Sequence, residues 1–184
     1  MEDISLYMLD LVQNSIAAAA TLVEISVIED VQNDKFILSI KDNGRGMDPQ
    51  TVDRITDPFY TTRTTRKVGL GLAFAEAAAR ACDGGIYISS QPGKGTEVRV
   101  EFRYHHIDRP PLGRIDQTIA ALVACNPSIE FVYTHIAPGG RLCFDSREIR
   151  QRLGDLPIDH PEVVEWISEY IGEGIDEISG GGKE

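Results

Sequence analysis

The chain has 184 residues, 42% hydrophobic and 26% charged, which fits one globular domain with a small appendage. Its formal net charge of −11 repels nucleic acid and anionic membranes, so we expect neither as a partner. No apolar run is long enough to span a bilayer, and the acidic start lacks the basic segment of a signal peptide. The three cysteines form no zinc or disulfide pattern, so a reducing cytoplasm is the expected location.

The first predicted element is a helix over residues 3–20 that carries an acid and an amide on one face. It contains no glycine or proline, and its alanines have high helix propensity. Asp10 and Asn14 are i,i+4 neighbours on the side opposite the apolar stripe. Such a pair can hold a metal ion or a water molecule; alternatively, both side chains are simply solvated.

Two predicted strands, residues 22–30 and 35–41, lead to the sequence Asp42-Asn43-Gly44-Arg45-Gly46-Met47. A carboxylate at a strand end can accept a hydrogen bond from an exocyclic amine such as that of adenine. Glycines let the backbone approach a flat ligand, because they lack Cβ. Taken alone, the same residues are also typical of an ordinary hairpin turn.

A polar loop and a glycine-rich turn follow. Residues 57–67 combine hydroxyls with three cations, which suits phosphate contacts and is also common in exposed surface loops. The turn over residues 69–73 opens a predicted helix that ends near Cys82, and free N–H groups at a helix start favour phosphate. A basic cluster offsets the acidity of the chain for a polyanionic ligand; its members are Arg63, Arg66, Lys67 and, further along, Lys94.

Two more predicted strands, residues 86–90 and 96–103, complete an α+β fold. We expect residues 1–104 to form a two-layer α/β sandwich with helices on one face of a mixed, mostly antiparallel sheet. Residues 105–112 contain Pro110-Pro111 and read as a stiff linker. Residues 113–178 are predicted to form a small α+β extension of unknown role, with a last helix through about Ile171. Residues 179–184 are predicted to be a disordered tail.

The order of four motifs resembles the GHKL (Bergerat-fold) ATP-binding superfamily, which includes gyrase, heat-shock chaperone, histidine kinase and mismatch-repair ATPases. The segment LDLVQNSIAAAA is similar to the N box, and DNGRGM to the first glycine box. DPFYTTR with GLGLA is similar to the F box and second glycine box, and PGKGTEVRVEF to the third. Four ordered motifs are far more specific than one. The similarity covers about residues 1–104 and is closest to the catalytic domain of sensor histidine kinases.

The resemblance implies ATP and Mg²⁺ as ligands. Asn14 would ligate Mg²⁺, which bridges the phosphates, and Asp42 would accept from the adenine amino group. Gly44 and Gly46 would let the backbone pass the base, and Met47 would line the pocket.

The resemblance also implies a lid over the triphosphate. Phe59 would anchor the base of this lid, and Thr96 would support the adenine pocket near Asp42. The lid itself would comprise Thr61, Thr62, Arg63, Arg66 and Lys67. Backbone N–H groups would reach the phosphates from Gly69, Leu70, Gly71 and Leu72.

One departure from the family pattern bears on catalysis. Hydrolytic relatives carry a glutamate four residues before the N-box asparagine, as general base for the attacking water. Here that position is Asp10, which is one methylene shorter and reaches a water less well. Position 17 is Ala17, where many relatives have a polar residue. Asp10 is therefore the candidate general base, and hydrolysis is an expectation that needs a test.

The sequence leaves three functions open. Nothing precedes the N-box helix and no histidine lies in a phosphoacceptor-like context, so we expect a free-standing ATP-binding protein rather than a complete sensor kinase. The leading hypothesis is slow ATP hydrolysis or ATP-driven switching with lid closure. The alternatives are a protein kinase acting in trans on a separate His or Ser protein, and a non-catalytic nucleotide-sensing interaction module.

A protein partner is also expected. Trp166 and Tyr170 are i,i+4 neighbours on the last predicted helix, where they pack on the ATP domain or offer a partner surface. A strand edge in the extension offers a route to a homodimer.

Overall fold

A computed structural model describes residues 3–56 and 70–179. Its elements follow the predicted order through residue 103 and continue into the extension. They are α1 (Ile4–Ala17), β1 (Leu22–Asp30), β2 (Lys35–Asp42), α2 (Pro49–Thr56), α3 (Leu70–Ala81), β3 (Gly85–Gln91), β4 (Gly95–Arg103), α4 (Ile115–Cys125), β5 (Glu130–Ala137), β6 (Gly140–Asp145), α5 (Ser146–Leu153) and α6 (Pro161–Ser179).

Six strands form one mixed sheet in the order β3-β4-β2-β1-β5-β6. All neighbours pair antiparallel except β1 and β5, which run parallel. The predicted α+β class with a mostly antiparallel sheet is confirmed. The alternation of apolar and polar residues sets the register, because a slip by one residue would turn every side chain to the other face.

One face of the sheet carries the core. Phe36, Leu38 and Ile40 of β2 point to it, and the helices α1, α3, α4 and α6 add buried side chains to the same cluster. In α1, Met8 and Val12 are fully buried, whereas Asp10 on the opposite side is exposed. The helical period of 3.6 residues thus places Asp10 on the side of α1 away from the sheet.

The extension shares this sheet and this core. Phe131 and Tyr133 of β5 are fully buried beside Val23 and Ile25 of β1, their partners in the register. The segment predicted as a stiff linker also contacts α1, since the carbonyl of Pro111 accepts from the N–H of Ile4 at 2.9 Å. The predicted boundary between residues 1–104 and the extension thus falls within one continuous sheet.

A buried polar network joins β5 to β1. The fully buried His135 lies 2.9 Å through Nδ1 from the hydroxyl of Tyr133 and 2.9 Å through Nε2 from Glu29 Oε1. The Tyr104 hydroxyl donates to the other oxygen of Glu29 at 3.0 Å. The hydrogen bond from His135 lowers the pKa of Glu29, burial opposes this effect, and Tyr104 lowers it further. The network therefore favours an ionised Glu29 in the folded protein.

The last helix is longer than the sequence suggested. α6 continues through Gly172 and Gly174 to Ser179, so the predicted end near Ile171 and the tail assignment of Ser179 are wrong. The reason is tertiary packing. A Cβ at position 174 would lie 2.5 Å from Leu142 Cδ1, so this glycine lets the helix pack closely on β6. Residues 180–184 lie outside the described part of the chain.

Candidate nucleotide site

Asp42 stands at the end of β2 with its carboxylate held by three donors. Oδ2 accepts from the hydroxyl of Ser15 in α1 at 2.7 Å. Oδ1 accepts from the N–H of Gly44 at 2.8 Å and from the N–H of Thr96 at 3.3 Å. The side chain is 8% exposed. A carboxylate fixed in this way, with a small open edge, is suited to accept a hydrogen bond from an amine.

Two glycines bring separate backbone segments together around Asp42. At Gly46, φ is +65° and a Cβ would lie 1.9 Å from the carbonyl oxygen of Gln91. At Gly95, φ is +99° and a Cβ would lie 1.9 Å from the carbonyl oxygen of Asp42. Only glycine combines this backbone conformation with this close approach. The loop after β2 and the β3–β4 hairpin are thereby locked against each other.

Ser90 connects the same two segments through its hydroxyl. Its Oγ accepts from the N–H of Met47 at 2.8 Å. It also lies 3.0 Å from the carbonyl oxygen of Gly95 and 2.9 Å from Oγ1 of Thr96. The register pairs Ser90 with Thr96, and Thr96 with Asp42. Met47 and Thr96, both predicted pocket residues, thus lie in one hydrogen-bonded unit.

Ser15, Ser90 and Gly95 were not among the predicted site residues. Ser15 directly follows Asn14, but its inward direction depends on the angle at which α1 crosses β2. Ser90 had a usable signal, because the predicted hairpin around residues 91–95 places it opposite Thr96. A shallow depression beside Asp42 is lined by these hairpin residues and by Lys94, a predicted member of the basic cluster.

Asp10 and Gly71 bring α1 and α3 into contact. A Cβ at position 71 would lie 2.4 Å from Asp10 Cβ and 2.8 Å from Asp10 Oδ2. The absence of a side chain at Gly71 therefore makes room for the carboxylate beside the first turn of α3. This turn begins at Leu70. Because the side chain of Leu72 is buried in the core, Leu72 can contact a ligand only through its backbone. The first N–H groups of a helix lack partners within the helix and attract negative charge.

Asn14 lies one turn after Asp10 and is partly exposed. The structure therefore places an exposed carboxylate, a partly exposed amide and the start of α3 around one corner of the sheet. Among residues 3–56 and 70–179, no group of three or more His, Cys, Asp or Glu side chains comes together to hold a metal ion. An ion beside Asn14 would thus depend on oxygens of a bound nucleotide for most of its ligands.

The remaining predicted site residues fall outside the described ranges. They are Phe59, Thr61, Thr62, Arg63, Arg66, Lys67 and Gly69. The predicted lid therefore stays a prediction.

Of the helices in residues 3–56 and 70–179, none combines the length and the apolar content that a membrane crossing demands.

Comparison with known proteins identifies the family of residues 2–106. The family model of histidine kinase-, DNA gyrase B-, and HSP90-like ATPases matches residues 2–106. The sensor protein kinase FleS of Pseudomonas aeruginosa is 45% identical over 88 residues, which are 48% of this chain and 22% of that protein. The sensor histidine kinase YvrG of Bacillus subtilis is 33% identical over 84 residues, or 44% of this chain and 14% of that protein. The chain thus spans less than a quarter of the length of these relatives.

The fold also resembles a solved structure. The N-terminal domain of a DNA repair protein superposes with a TM-score of 0.54 at 20% identity, covering 78% of this chain and 52% of that one. At this identity the likeness concerns the fold alone. The match of the family model, by contrast, covers more than half of the chain and contains every element around Asp42. The chain belongs to the family of histidine kinase-, DNA gyrase B- and HSP90-like ATPases, and residues 2–106 are its ATP-binding domain.

Proposed function

We propose that this protein binds Mg²⁺-ATP with adenine on Asp42 and phosphates at the start of α3, and that it hydrolyses ATP slowly. The observation that carries the proposal is the fixed carboxylate of Asp42. Ser15, Gly44 and Thr96 donate to it from three different chain segments, and the residue keeps 8% of its surface exposed. A carboxylate held in this way can accept a further hydrogen bond from a base that presents an exocyclic amine.

The start of α3 supplies the phosphate end of the proposed site. The N–H groups of Leu70, Gly71 and Leu72 belong to its first turn and would donate to phosphate oxygens. Asn14 would hold Mg²⁺ through its amide oxygen. When bound, Mg²⁺ would offset the charge of the phosphates, which the acidic chain otherwise disfavours.

Asp10 is the proposed general base. Its exposed carboxylate lies against Gly71, beside the first turn of α3, and could take a proton from a water near the terminal phosphate. The short side chain predicts a slow reaction. The predicted lid, with Phe59 at its base and the cations Arg63, Arg66 and Lys67, would close over the phosphates and exclude bulk water.

A second candidate is phosphoryl transfer to a separate protein. It is favoured by the names of the matched relatives, which are sensor kinases. In that case Asp10 would act on a protein side chain instead of a water. Nucleotide sensing without turnover is the third reading, and it shares the same binding site.

The test follows γ-labelled ATP with Mg²⁺, alone and with host lysate. Asp42→Asn should weaken ATP binding by about tenfold or more, because a charged hydrogen bond contributes about 1.5–3 kcal/mol. Asp10→Asn should keep ATP binding and lose phosphate release. Asp30→Asn is the matched control for Asp42, since it removes a partly exposed carboxylate at the opposite end of the paired strands β1 and β2.

Three outcomes separate the candidates. Free phosphate that depends on Asp10 supports the ATPase, and label on a separate protein supports the kinase. Intact ATP in both mixtures leaves the sensing module. Equal ATP affinity in the Asp42 and Asp30 variants would refute the nucleotide site itself.

A further inference from the structure

Trp166 and Tyr170 form an exposed aromatic pair on α6. Their ring centroids are 5.3 Å apart and their planes differ by 17°, so the rings are stacked. Trp166 is 44% exposed and Tyr170 is 38% exposed, although both are large and apolar in their bodies. Rigid aromatic rings with a polar tip are enriched where proteins bind one another.

The helix that carries the pair is held along its length. Ile167 and Ile171 are fully buried beneath it. The hydroxyl of Tyr170 donates to the carbonyl of Cys143 in β6 at 3.1 Å, and the N–H of Gly139 donates to the carbonyl of Ile178 at 2.9 Å. The rings are therefore already ordered, which lowers the entropy cost of binding a partner.

The exposed side of α6 is uniformly acidic. α6 contains no lysine or arginine. Its exposed carboxylates are Glu162, Glu165, Glu169, Glu173, Asp176 and Glu177. Within residues 3–56 and 70–179, no Lys, Arg or His side chain forms an ion pair with any of these six.

Helical spacing sets the carboxylates beside the rings. Glu165, Glu169 and Glu173 repeat at i,i+4 and form a ridge of about 12 Å along the helix axis. Trp166 and Tyr170 occupy the neighbouring i,i+4 row. A guanidinium above the rings would thus have a carboxylate within reach on one side, which combines cation–π stacking with a charged hydrogen bond.

We propose that this surface of α6, the acidic aromatic ridge, docks an arginine-bearing basic segment of a partner protein. Charge complementarity selects this occupant. A second copy of the chain would set one acidic ridge against another, and nucleic acid or an anionic membrane would be repelled in the same way. The ridge lies over β5 and β6, and β1 separates these strands from β2 and β4, which carry the proposed nucleotide site. The partner and the nucleotide can therefore bind together.

Trp166 is the only tryptophan in the chain, so its fluorescence reports on this surface directly. The experiment titrates the full chain with an alanine-based helical peptide that carries arginines at i,i+4 spacing, and with its lysine and glutamate counterparts. The arginine peptide should change Trp166 emission saturably. The lysine peptide should bind more weakly, because an ammonium stacks less well, and the glutamate peptide should have no effect.

The double variant Glu169→Gln/Glu173→Gln should weaken binding of the arginine peptide by about threefold to tenfold. Its matched control is Glu148→Gln/Asp155→Asn, which makes the same change in net charge at two exposed positions outside α6. Equal weakening in both double variants would overturn the proposal, because net charge alone would then explain binding. Unchanged emission with the arginine peptide, or emission that depends on protein concentration without peptide, would overturn it as well.

Discussion

Ser15→Ala is the most direct test of how the candidate site is built. Ser15 is 3% exposed and its hydroxyl donates to Asp42 Oδ2 at 2.7 Å. This donor is the only one that Oδ2 has among the described residues, whereas Oδ1 accepts from two N–H groups. The substitution removes one hydroxyl and leaves the helix backbone unchanged.

The expected magnitude follows from the charge of the acceptor. A hydrogen bond to a charged group contributes about 1.5–3 kcal/mol, and the open edge of Asp42 lets water replace part of it. The free energy of unfolding should therefore fall by about 1–2 kcal/mol. ATP affinity should fall by about threefold to tenfold, because the carboxylate loses one of the donors that fix its direction.

The assays are urea denaturation and calorimetric titration with ATP and Mg²⁺. Ser5→Ala is the matched control. Ser5 also lies in α1 and is 3% exposed, and its hydroxyl donates to Asp3 at 2.6 Å, far from Asp42 in the helix. It should lower stability and leave ATP affinity unchanged. Equal changes in ATP affinity in the two variants would contradict the proposed role of Ser15. So would a Ser15→Ala variant with unchanged stability and unchanged ATP affinity.

Two further predictions concern the backbone around the site and the seam between β1 and β5. Gly46→Ala should abolish ATP binding and cost several kcal/mol of stability, whereas Gly93→Ala should cost only about 1–2 kcal/mol. Both have positive φ, but only the Cβ at position 46 would meet a backbone atom, the carbonyl oxygen of Gln91. ATP titration and urea denaturation of the two variants check this, and equal costs would contradict it. Since Glu29 has a lowered pKa in the fold, its stabilising effect should be complete above its ordinary value of 4.5 and lost as the pH falls through the folded value. The stability gap between wild type and Glu29→Gln, measured by urea denaturation, should therefore shrink in acid; a gap that widens there would refute the role of the His135 contact.

The sequence predicts well where the strands lie, but it predicts less well which strands pair with each other. Residues 35–41 place Phe36, Leu38 and Ile40 at every second position, and the strand ends at Asp42 as expected. The half-buried pattern over residues 129–136 also predicts β5. Its parallel pairing with β1 could not be read from the pattern, because alternation shows which face is buried but not which strand lies alongside.

In the candidate site as well, some residues could be predicted from the sequence and others could not. Asp42 and Thr96 were predicted from motifs and lie opposite each other in the register. Ser15 and Ser90 were missed, because a serine has no distinctive local pattern and its role depends on which chain segments meet around it. The proposed roles of Asn14 and of the lid residues remain predictions.

The parallel pairing of β1 with β5 has a consequence for how the chain folds. Leu22 pairs with Glu130, about a hundred residues later in the chain. Contacts between such distant residues form slowly, because a long loop must close first. During synthesis, one row of N–H and C=O groups of β1 therefore lacks its native partners until β5 is made. Such an unpaired row is a template for pairing with other chains. β5 covers this row once it pairs with β1, so a newly made chain is exposed to such pairing until residues 130–137 have emerged.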